Sequence, residues 1–287
     1  MIGAFLRKHK IYPRRWLLGL ISYSRFIGYI RPALSSGKSV DYSIWRKLLV
    51  TAWEPRELSF PIGKRILAIS PHADDEAIGA GGILSAHRDV AEIHIVVVTD
   101  GAAYGFVSEA GNCPELEKAQ LVQVRRQELL KTAGALNAKS VSFLDLPDRG
   151  IAVDEISVAR LRAVVESARP DVVILPWFLD GHPDHRAANL LFARACKDRS
   201  ALVLGYEIWS VLDPNAYFEI TDHLDAKLGL VKNYVSQLKE VDYLTFAQGL
   251  AWVRGYQLVR SRRAKKAAEA FVALPAEDYC SLVNEVL

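Results

Sequence analysis

The sequence predicts an α/β fold: a Rossmann-like, doubly wound, mainly parallel sheet with helices on both faces. From residue 62 onward, short runs rich in Ile and Val alternate with segments long enough for helices. The runs Lys64–Ser70 and Glu92–Asp100 are almost continuously apolar, which is typical of strands that are buried on both faces. Polar clusters follow two of the predicted strands directly, at the carboxyl edge where ligands bind in such sheets.

The alternation continues along the chain. The predicted strands are, in order, Lys64–Ser70, Glu92–Asp100, Val141–Leu144, Asp171–Pro176, Leu202–Trp209 and Tyr217–Ile220. The predicted helices are Ile78–Val90, a helix with Pro114 in its first turn that ends near Gly134, Ile156–Ala168, and helical sequence from about His223 nearly to Phe271. Proline in a first turn and glycine near a last turn are typical of helix boundaries.

Composition indicates a folded globular protein. Of the 287 residues, 51% are hydrophobic and 24% are charged, which is enough apolar material for a sizeable core and unlike a disordered chain. The cysteines, Cys113, Cys196 and Cys280, are odd in number and widely spaced, so they form neither a disulfide framework nor a CxxC zinc cluster. We therefore expect a cytoplasmic protein.

Charge is unevenly distributed. Residues 1–50 contain ten Lys or Arg against one acid, a balance of +9, whereas the remainder carries −6. The apolar stretch Trp16–Leu34 is interrupted by Arg25 and Arg31, so it is not a convincing transmembrane helix. Two interpretations stay open: an amphipathic helix on anionic lipid, peripheral to the inner face of a membrane, or a helix packed on the body with its basic residues solvated.

We expect three parts: a basic N-terminal extension at 1–60, a catalytic domain at 61–250 and a basic helical C-terminal extension at 251–287. Six basic residues lie in Arg254–Lys266, and a solvated helix face accounts for them. No nucleic-acid partner is expected.

The two polar clusters contain residue types that bind metals. Pro-His-Ala-Asp-Asp-Glu at 71–76 follows the first strand, and Gly-His-Pro-Asp-His at 181–185 follows the fourth. A catalytic zinc needs about three imidazole or carboxylate ligands and an open position for water. His72, Asp75 and His185 are the candidate ligands, although iron, cobalt or nickel would also accept this set. Either cluster alone would equally suit helix capping or a polar turn.

The same clusters supply candidate catalytic groups. Asp74 would lie beside the bound water as a general base, and His182, one helical turn before His185, would stabilise an oxyanion as a cation. Asp184, if hydrogen-bonded to the His182 imidazole, would raise its pKa and fix its orientation.

Together the motifs Pro-His-x-Asp-Asp-Glu, Gly-Ala-Gly-Gly and His-Pro-Asp-His resemble the PIG-L/LmbE-like zinc-dependent deacetylases, which remove acetyl groups from N-acetylglucosamine-containing substrates. The resemblance covers Lys64 to Glu240 and departs from the family at Ala73, where proline is usual. It implies a hydrolase that removes the N-acetyl group from an amino-sugar conjugate and releases acetate. It also implies the same roles for His72, Asp74, Asp75, His182 and His185 as the residue types do.

A softer feature also matches that family. Arg125 and Glu128 form an Arg-x-x-Glu pattern that implies an arginine reaching toward substrate, although an ion pair on one helix is the alternative. The Gly-Ala-Gly-Gly run follows acids that would repel a pyrophosphate, so its small residues are expected to let a helix pack closely on the sheet. Two functional alternatives remain: hydrolysis of another amide on this fold, or a non-catalytic, membrane-associated metal-binding module.

Overall fold

The computed structural model describes residues 55–103, 115–196, 200–259 and 264–287. The expected N-terminal amphipathic helix, Cys113 and Pro114 lie outside these ranges. The described residues form one eight-stranded sheet with helices on both faces. The predicted fold class is confirmed.

Element bounds agree closely with the sequence pattern. The strands are β1 (Arg56–Glu57), β2 (Arg65–Ser70), β3 (Glu92–Thr99), β4 (Ser140–Leu146), β5 (Val172–Pro176), β6 (Leu202–Tyr206), β7 (Ala216–Glu219) and β8 (Ala268–Pro275). The helices are α1 (Asp75–His87), α2 (Glu115–Ala135), α3 (Glu155–Ala168), α4 (Pro183–Ala195), α5 (Leu224–Val231), α6 (Val235–Leu238), α7 (Tyr243–Leu258) and α8 (Ala276–Val286). A 3₁₀ turn spans Thr221–His223.

The strand order explains where a ligand can bind. The order is β1-β7-β8-β6-β5-β2-β3-β4, and strands β2 to β6 run parallel to their neighbours within that group. The chain moves from β2 outward through β3 to β4, then crosses to the other side of β2 for β5 and β6. The order therefore reverses between β2 and β5, and a crevice opens at such a switch point outside the carboxyl ends of the strands.

The C-terminal region differs from the expected helical extension. Helix α7 ends at Leu258, and β8 inserts antiparallel between β6 and β7, with Phe271 opposite Tyr206 on one side and Ala216 on the other. The expected boundary at 251 is therefore wrong, because the chain beyond it completes the sheet. The run Ala-Phe-Val-Ala-Leu at 270–274 is apolar at every position, as a strand buried on both faces requires.

Helix α1 packs closely on the sheet through its glycines. A Cβ atom at Gly79 would lie 2.1 Å from the ring of Tyr206, and one at Gly82 would lie 2.6 Å from Ile220. The expectation that small residues permit this approach is confirmed. Close packing fixes the start of α1, and with it the acids that follow β2.

A buried ion pair also holds α1. The Glu269 carboxylate accepts hydrogen bonds from the backbone N–H groups of Gly82 and Ile83, both at 2.8 Å. Lys227 Nζ lies 2.5 Å from Glu269 Oε1 and donates to the carbonyl of Ile78 at 2.6 Å. Strand β8 and helix α5 are thereby fastened to the middle of α1.

Two further observations concern the described residues as a set. Cys196 and Cys280 are both buried. Among the helices within these ranges, none combines the length and the apolar character needed to cross a bilayer.

Candidate active site

The switch point brings the two polar clusters together. Asp75 Oδ2 lies 3.3 Å from His72 Nδ1 and 3.3 Å from His185 Nε2, although 110 residues separate Asp75 from His185. The Asp75 carboxylate also accepts the backbone N–H of His72 at 2.8 Å, which closes the turn between β2 and α1. The Asp75 carboxylate thus lies between the two histidines proposed from sequence as ligands with it. The candidate ligand atoms of His72, His182 and His185 lie within 4.8 Å of one another, as do those of His72, Asp148 and Asp184.

This arrangement fits a divalent metal. Tetrahedral zinc with bonds of about 2.0–2.2 Å places its ligand atoms about 3.3–3.6 Å apart. The distances from Asp75 Oδ2 to the two histidine nitrogens, 3.3 Å each, lie at that spacing. Both ring nitrogens of His185 are buried, and neither forms a well-aligned hydrogen bond within the described ranges. An unsatisfied buried nitrogen costs about 1–3 kcal/mol, and a cation at Nε2 would remove that cost.

Asp74 has an unusual backbone. It lies immediately before α1 with φ 143°, a region that non-glycine residues rarely adopt, and its carboxylate does not cap the helix. Its side chain is buried and lines the cavity beside His72 and Asp75. Strained residues of this kind are concentrated at functional sites.

Asp184 contacts a different histidine from the one expected. Its carboxylate lies 3.1 Å from His72 Nε2 and accepts the backbone N–H of Arg149 at 2.7 Å. Its link to His182 runs instead from its backbone N–H to His182 Nδ1, at 3.2 Å. The correction has a local cause: His182 occupies the N-cap position of α4, where a side chain accepts from the amide two residues later.

His182 is consequently arranged as a neutral donor. Because Nδ1 accepts a hydrogen bond, the ring proton belongs on Nε2. Burial, together with the neighbouring His72 and His185, lowers the pKa of His182. The lowered pKa favours a neutral imidazole over the expected cation, and His182 lies in the cavity, 4.8 Å from His72 between ring centroids.

Two carboxylates of the site were missed by the sequence analysis. Asp148 Oδ1 lies 3.4 Å from His72 Nε2, and Asp180 Oδ1 lies 3.1 Å from His185 Nδ1. Both residues follow strands, β4 and β5 respectively, so the rule that ligands gather at carboxyl ends would have found them. Each metal-facing histidine thus has a carboxylate behind it, as metal-binding histidines usually do.

Arg125 reaches the cavity from α2. Its guanidinium donates to the carbonyl of Gly101 at 2.6 Å and to Gln237 Oε1 at 3.3 Å, and lies 3.6 Å from Asp148 Oδ2. The alternative ion pair with Glu128 is not formed, since that carboxylate accepts two hydrogen bonds from Ser236.

The outer wall of the cavity is aromatic. Trp209, on the loop after β6, is 43% exposed, and its ring lies edge-on to that of Tyr243 with centroids 6.1 Å apart. Both line the cavity together with Arg149. The sequence predicts a strand as far as Trp209, whereas the strand ends at Tyr206 and leaves this Trp on the loop.

The electrostatics distinguish the two adjacent acids. Burial and the negative charge of Asp75 raise the pKa of Asp74 well above its usual range. Burial would also raise the pKa of Asp75, but His185 and His72 outweigh it and hold that pKa below its usual range. In return, Asp75 and Asp180 overcome burial and raise the pKa of His185 to about 9. Of the two adjacent acids, Asp74 therefore has the higher proton affinity.

The part of the chain that holds both polar clusters is similar to a known family. Residues 67–196 match the model of the PIG-L family, described as GlcNAc-PI de-N-acetylase. These residues are therefore similar to the domain of that family.

Relatives and solved structures extend the match. Diacetylchitobiose deacetylase from Thermococcus kodakarensis is 29% identical over 196 residues, which cover 62% of this chain and 71% of that protein. The structure of N,N'-diacetylchitobiose deacetylase from Pyrococcus horikoshii superposes with a TM-score of 0.64 at 22% identity, covering 84% of this chain and 95% of the other. The structure of 4-carboxy-2-hydroxymuconate hydratase from Pseudomonas putida superposes with a TM-score of 0.62 at 24% identity, covering 74% of this chain and 96% of the other. The fold is therefore shared by deacetylases and a hydratase.

Proposed function

We propose that this protein is a zinc-dependent deacetylase that removes the N-acetyl group from an N-acetylglucosamine-type conjugate and releases acetate. The observation that carries the proposal is the Asp75 carboxylate lying 3.3 Å from both His72 and His185, with Asp74 buried beside it in the same cavity. The relative's activity on diacetylchitobiose supports the same reaction class.

The chemistry follows from the positions of five side chains. His72, Asp75 and His185 would hold a divalent metal, which would supply Lewis-acid activation of the amide carbonyl and of a water molecule. Asp74 takes a proton from the water molecule while the water oxygen attacks the carbonyl carbon. This role suits a carboxylate with a raised pKa. His182 donates from Nε2 to the oxygen on which negative charge develops. The C–N bond then breaks, the amine gains the proton that Asp74 took from water, and acetate and an amino sugar leave.

The cavity wall suits a sugar ring. Trp209 and Tyr243 present aromatic surface at its mouth, and Arg125 and Gln237 offer polar groups deeper inside. Sites for small molecules commonly combine such apolar walls with a few fixed polar groups. Arg125 is therefore proposed as a substrate-binding residue, already held in place by the Gly101 carbonyl.

The N-terminal segment carries a separate proposal. Its +9 balance suits reversible attachment to anionic lipid at the inner face of a membrane. Replacing Arg7, Lys8, Lys10, Arg14 and Arg15 with Gln should reduce sedimentation of the full chain with phosphatidylserine vesicles at low salt. Equal sedimentation of both proteins would leave the alternative, a solvated basic helix.

The test of function is acetate release. Purified protein, supplied with zinc, is incubated with N-acetylglucosamine conjugates of neutral, phosphate and carboxylate type, and acetate and free amine are both quantified. We expect the two products in equal amounts, with activity lost on chelation and restored by metal. Turnover of an unrelated amide alone would favour the alternative hydrolase, and hydration of a carbon–carbon double bond would favour the chemistry of the hydratase neighbour.

A further inference from the structure

Asp180 occupies a central position between two loops. It lies between β5 and α4, and its side chain is fully buried. Its Oδ1 accepts the backbone N–H of His182 at 2.9 Å and lies 3.1 Å from His185 Nδ1. Its Oδ2 accepts the backbone N–H groups of Trp209 and Ser210 at 2.9 and 3.1 Å. One carboxylate therefore contacts the metal-binding loop and the loop that forms the aromatic wall.

The contact with His185 bears on metal binding. The Nδ1 atom is within hydrogen-bonding distance of the carboxylate, although the ring orientation leaves the angle unfavourable. A carboxylate at this position fixes the orientation of a metal-binding imidazole and increases its basicity, and losing such a partner typically weakens metal binding about 10- to 100-fold. On the opposite side of the ring, His185 Nε2 lies 3.3 Å from Asp75 Oδ2. Asp180 therefore restricts the orientation of the ring from the Nδ1 side.

The contact with the second loop bears on the cavity wall. Two adjacent backbone N–H groups point at Asp180 Oδ2, and the Ser210 hydroxyl returns to the backbone of the first loop by accepting the N–H of Gly181 at 3.0 Å. Glu207 anchors the other end of this loop, since it forms a bidentate pair with Arg254 and accepts the N–H of Leu212. Between these anchors, Trp209 keeps its exposed ring at the cavity.

We propose that Asp180 is a positioning residue that couples the metal-binding imidazole of His185 to the aromatic wall at Trp209. It rests on the proposed function, because it assumes that His185 binds a metal and that the cavity beside Trp209 receives the substrate. Any change in the Asp180 carboxylate should disturb both loops together. A change at Trp209 should disturb the wall alone.

The decisive experiment uses the full chain with Asp180→Asn. The amide keeps the size of the carboxylate but replaces one acceptor with a donor, so it cannot accept from both loops. Zinc affinity is measured by competition with a chelator. Order at Trp209 is measured as acrylamide quenching of its fluorescence, taken as the difference between each protein and the same protein with Trp209→Phe. We expect zinc affinity to fall about 10- to 100-fold and the quenching constant to rise, at an unchanged circular dichroism spectrum.

Two variants serve as controls. Asp171→Asn makes the same substitution at the amino end of β5, where that carboxylate accepts from Lys64, Arg65 and the Arg65 guanidinium, and it should change neither measurement. Trp209→Ala should leave zinc affinity unchanged. Should Asp180→Asn not fold, Asp180→Glu keeps the charge, displaces the carboxylate by one methylene and should shift both measurements in the same directions.

A change in only one measurement, or in neither, would overturn the proposal. Neither measurement depends on acetate release. A wild-type protein that binds zinc without releasing acetate would therefore refute the proposed function while leaving the coupling by Asp180 to be judged on its own results.

Discussion

The two ends of the central sheet treat charge in opposite ways. At the carboxyl end, Asp75, Asp180 and Asp184 are almost fully buried and face histidines. At the amino end, Arg65 and Asp171 form a 2.7 Å pair whose side chains are each more than one-third exposed. Buried charge is costly unless it is compensated, whereas an exposed pair gains little. The buried charges at the carboxyl end therefore reduce the stability of the fold, which indicates that they serve a function.

The Lys227–Glu269 pair is buried but lies outside the cavity. Both side chains are only 3% exposed, as at the carboxyl end, yet they contact the backbone of α1 and do not line the cavity. Removal of this ion pair should therefore lower stability without affecting the reaction, unlike removal of the buried acids of the cavity.

The largest expected effect is on catalysis at Asp74. Asp74→Asn preserves size and tolerates the positive φ, so the variant should fold and retain metal. Loss of a positioned general base should lower kcat about 10²- to 10⁴-fold. Asp75→Ala is the matched variant, and it should lose metal as well as activity. An Asp74→Asn variant with near-full activity, or one as metal-poor as Asp75→Ala, would show that the two roles are wrongly assigned.

The next effect is on stability at Lys227. Lys227→Met should lower the free energy of unfolding by about 3–5 kcal/mol, because Glu269 would keep its charge without a cation. Denaturant unfolding measures the loss, and the double variant with Glu269→Gln should recover part of it. Metal content per folded chain should stay the same. A cost below about 1 kcal/mol would mean that the buried pair contributes little to holding α1.

The smallest effect is expected at the amino end. Asp171→Asn removes one charge of an exposed pair but leaves an acceptor for the backbone N–H groups of residues 64 and 65. Denaturant unfolding should therefore give no measurable change in stability. A loss as large as that of Lys227→Met would remove the contrast between the two ends of the sheet.

Most of the fold followed from the apolar pattern of the sequence. Strands β2, β3 and β5 are short, almost continuously apolar runs, which favour a buried strand over a helix. Their ends were predicted within one or two residues. Strand β8 was missed because it pairs with β6 and β7, more than 45 residues away, and its alanines suit helix and strand alike. Long-range pairing of that kind leaves no local signal.

The site was predictable in its members but not in its connections. His72, Asp75 and His185 follow from residue type and strand position. That Asp184 faces His72 and not His182 depends on the N-cap geometry of α4, and the role of Asp180 depends on a loop that arrives from β6. Hydrogen-bond partners between loops are determined by tertiary packing, which spacing along the chain does not encode.

The central claim is that the carboxyl end of the sheet is a metal site, and elemental analysis tests it most directly. Wild-type protein, loaded with zinc and then freed of excess metal, should retain about one ion per chain, as a three-ligand catalytic site does. The His72→Ala/His185→Ala double variant, treated identically and shown to be folded by circular dichroism, should retain almost none. Stoichiometric zinc in that double variant would contradict the account.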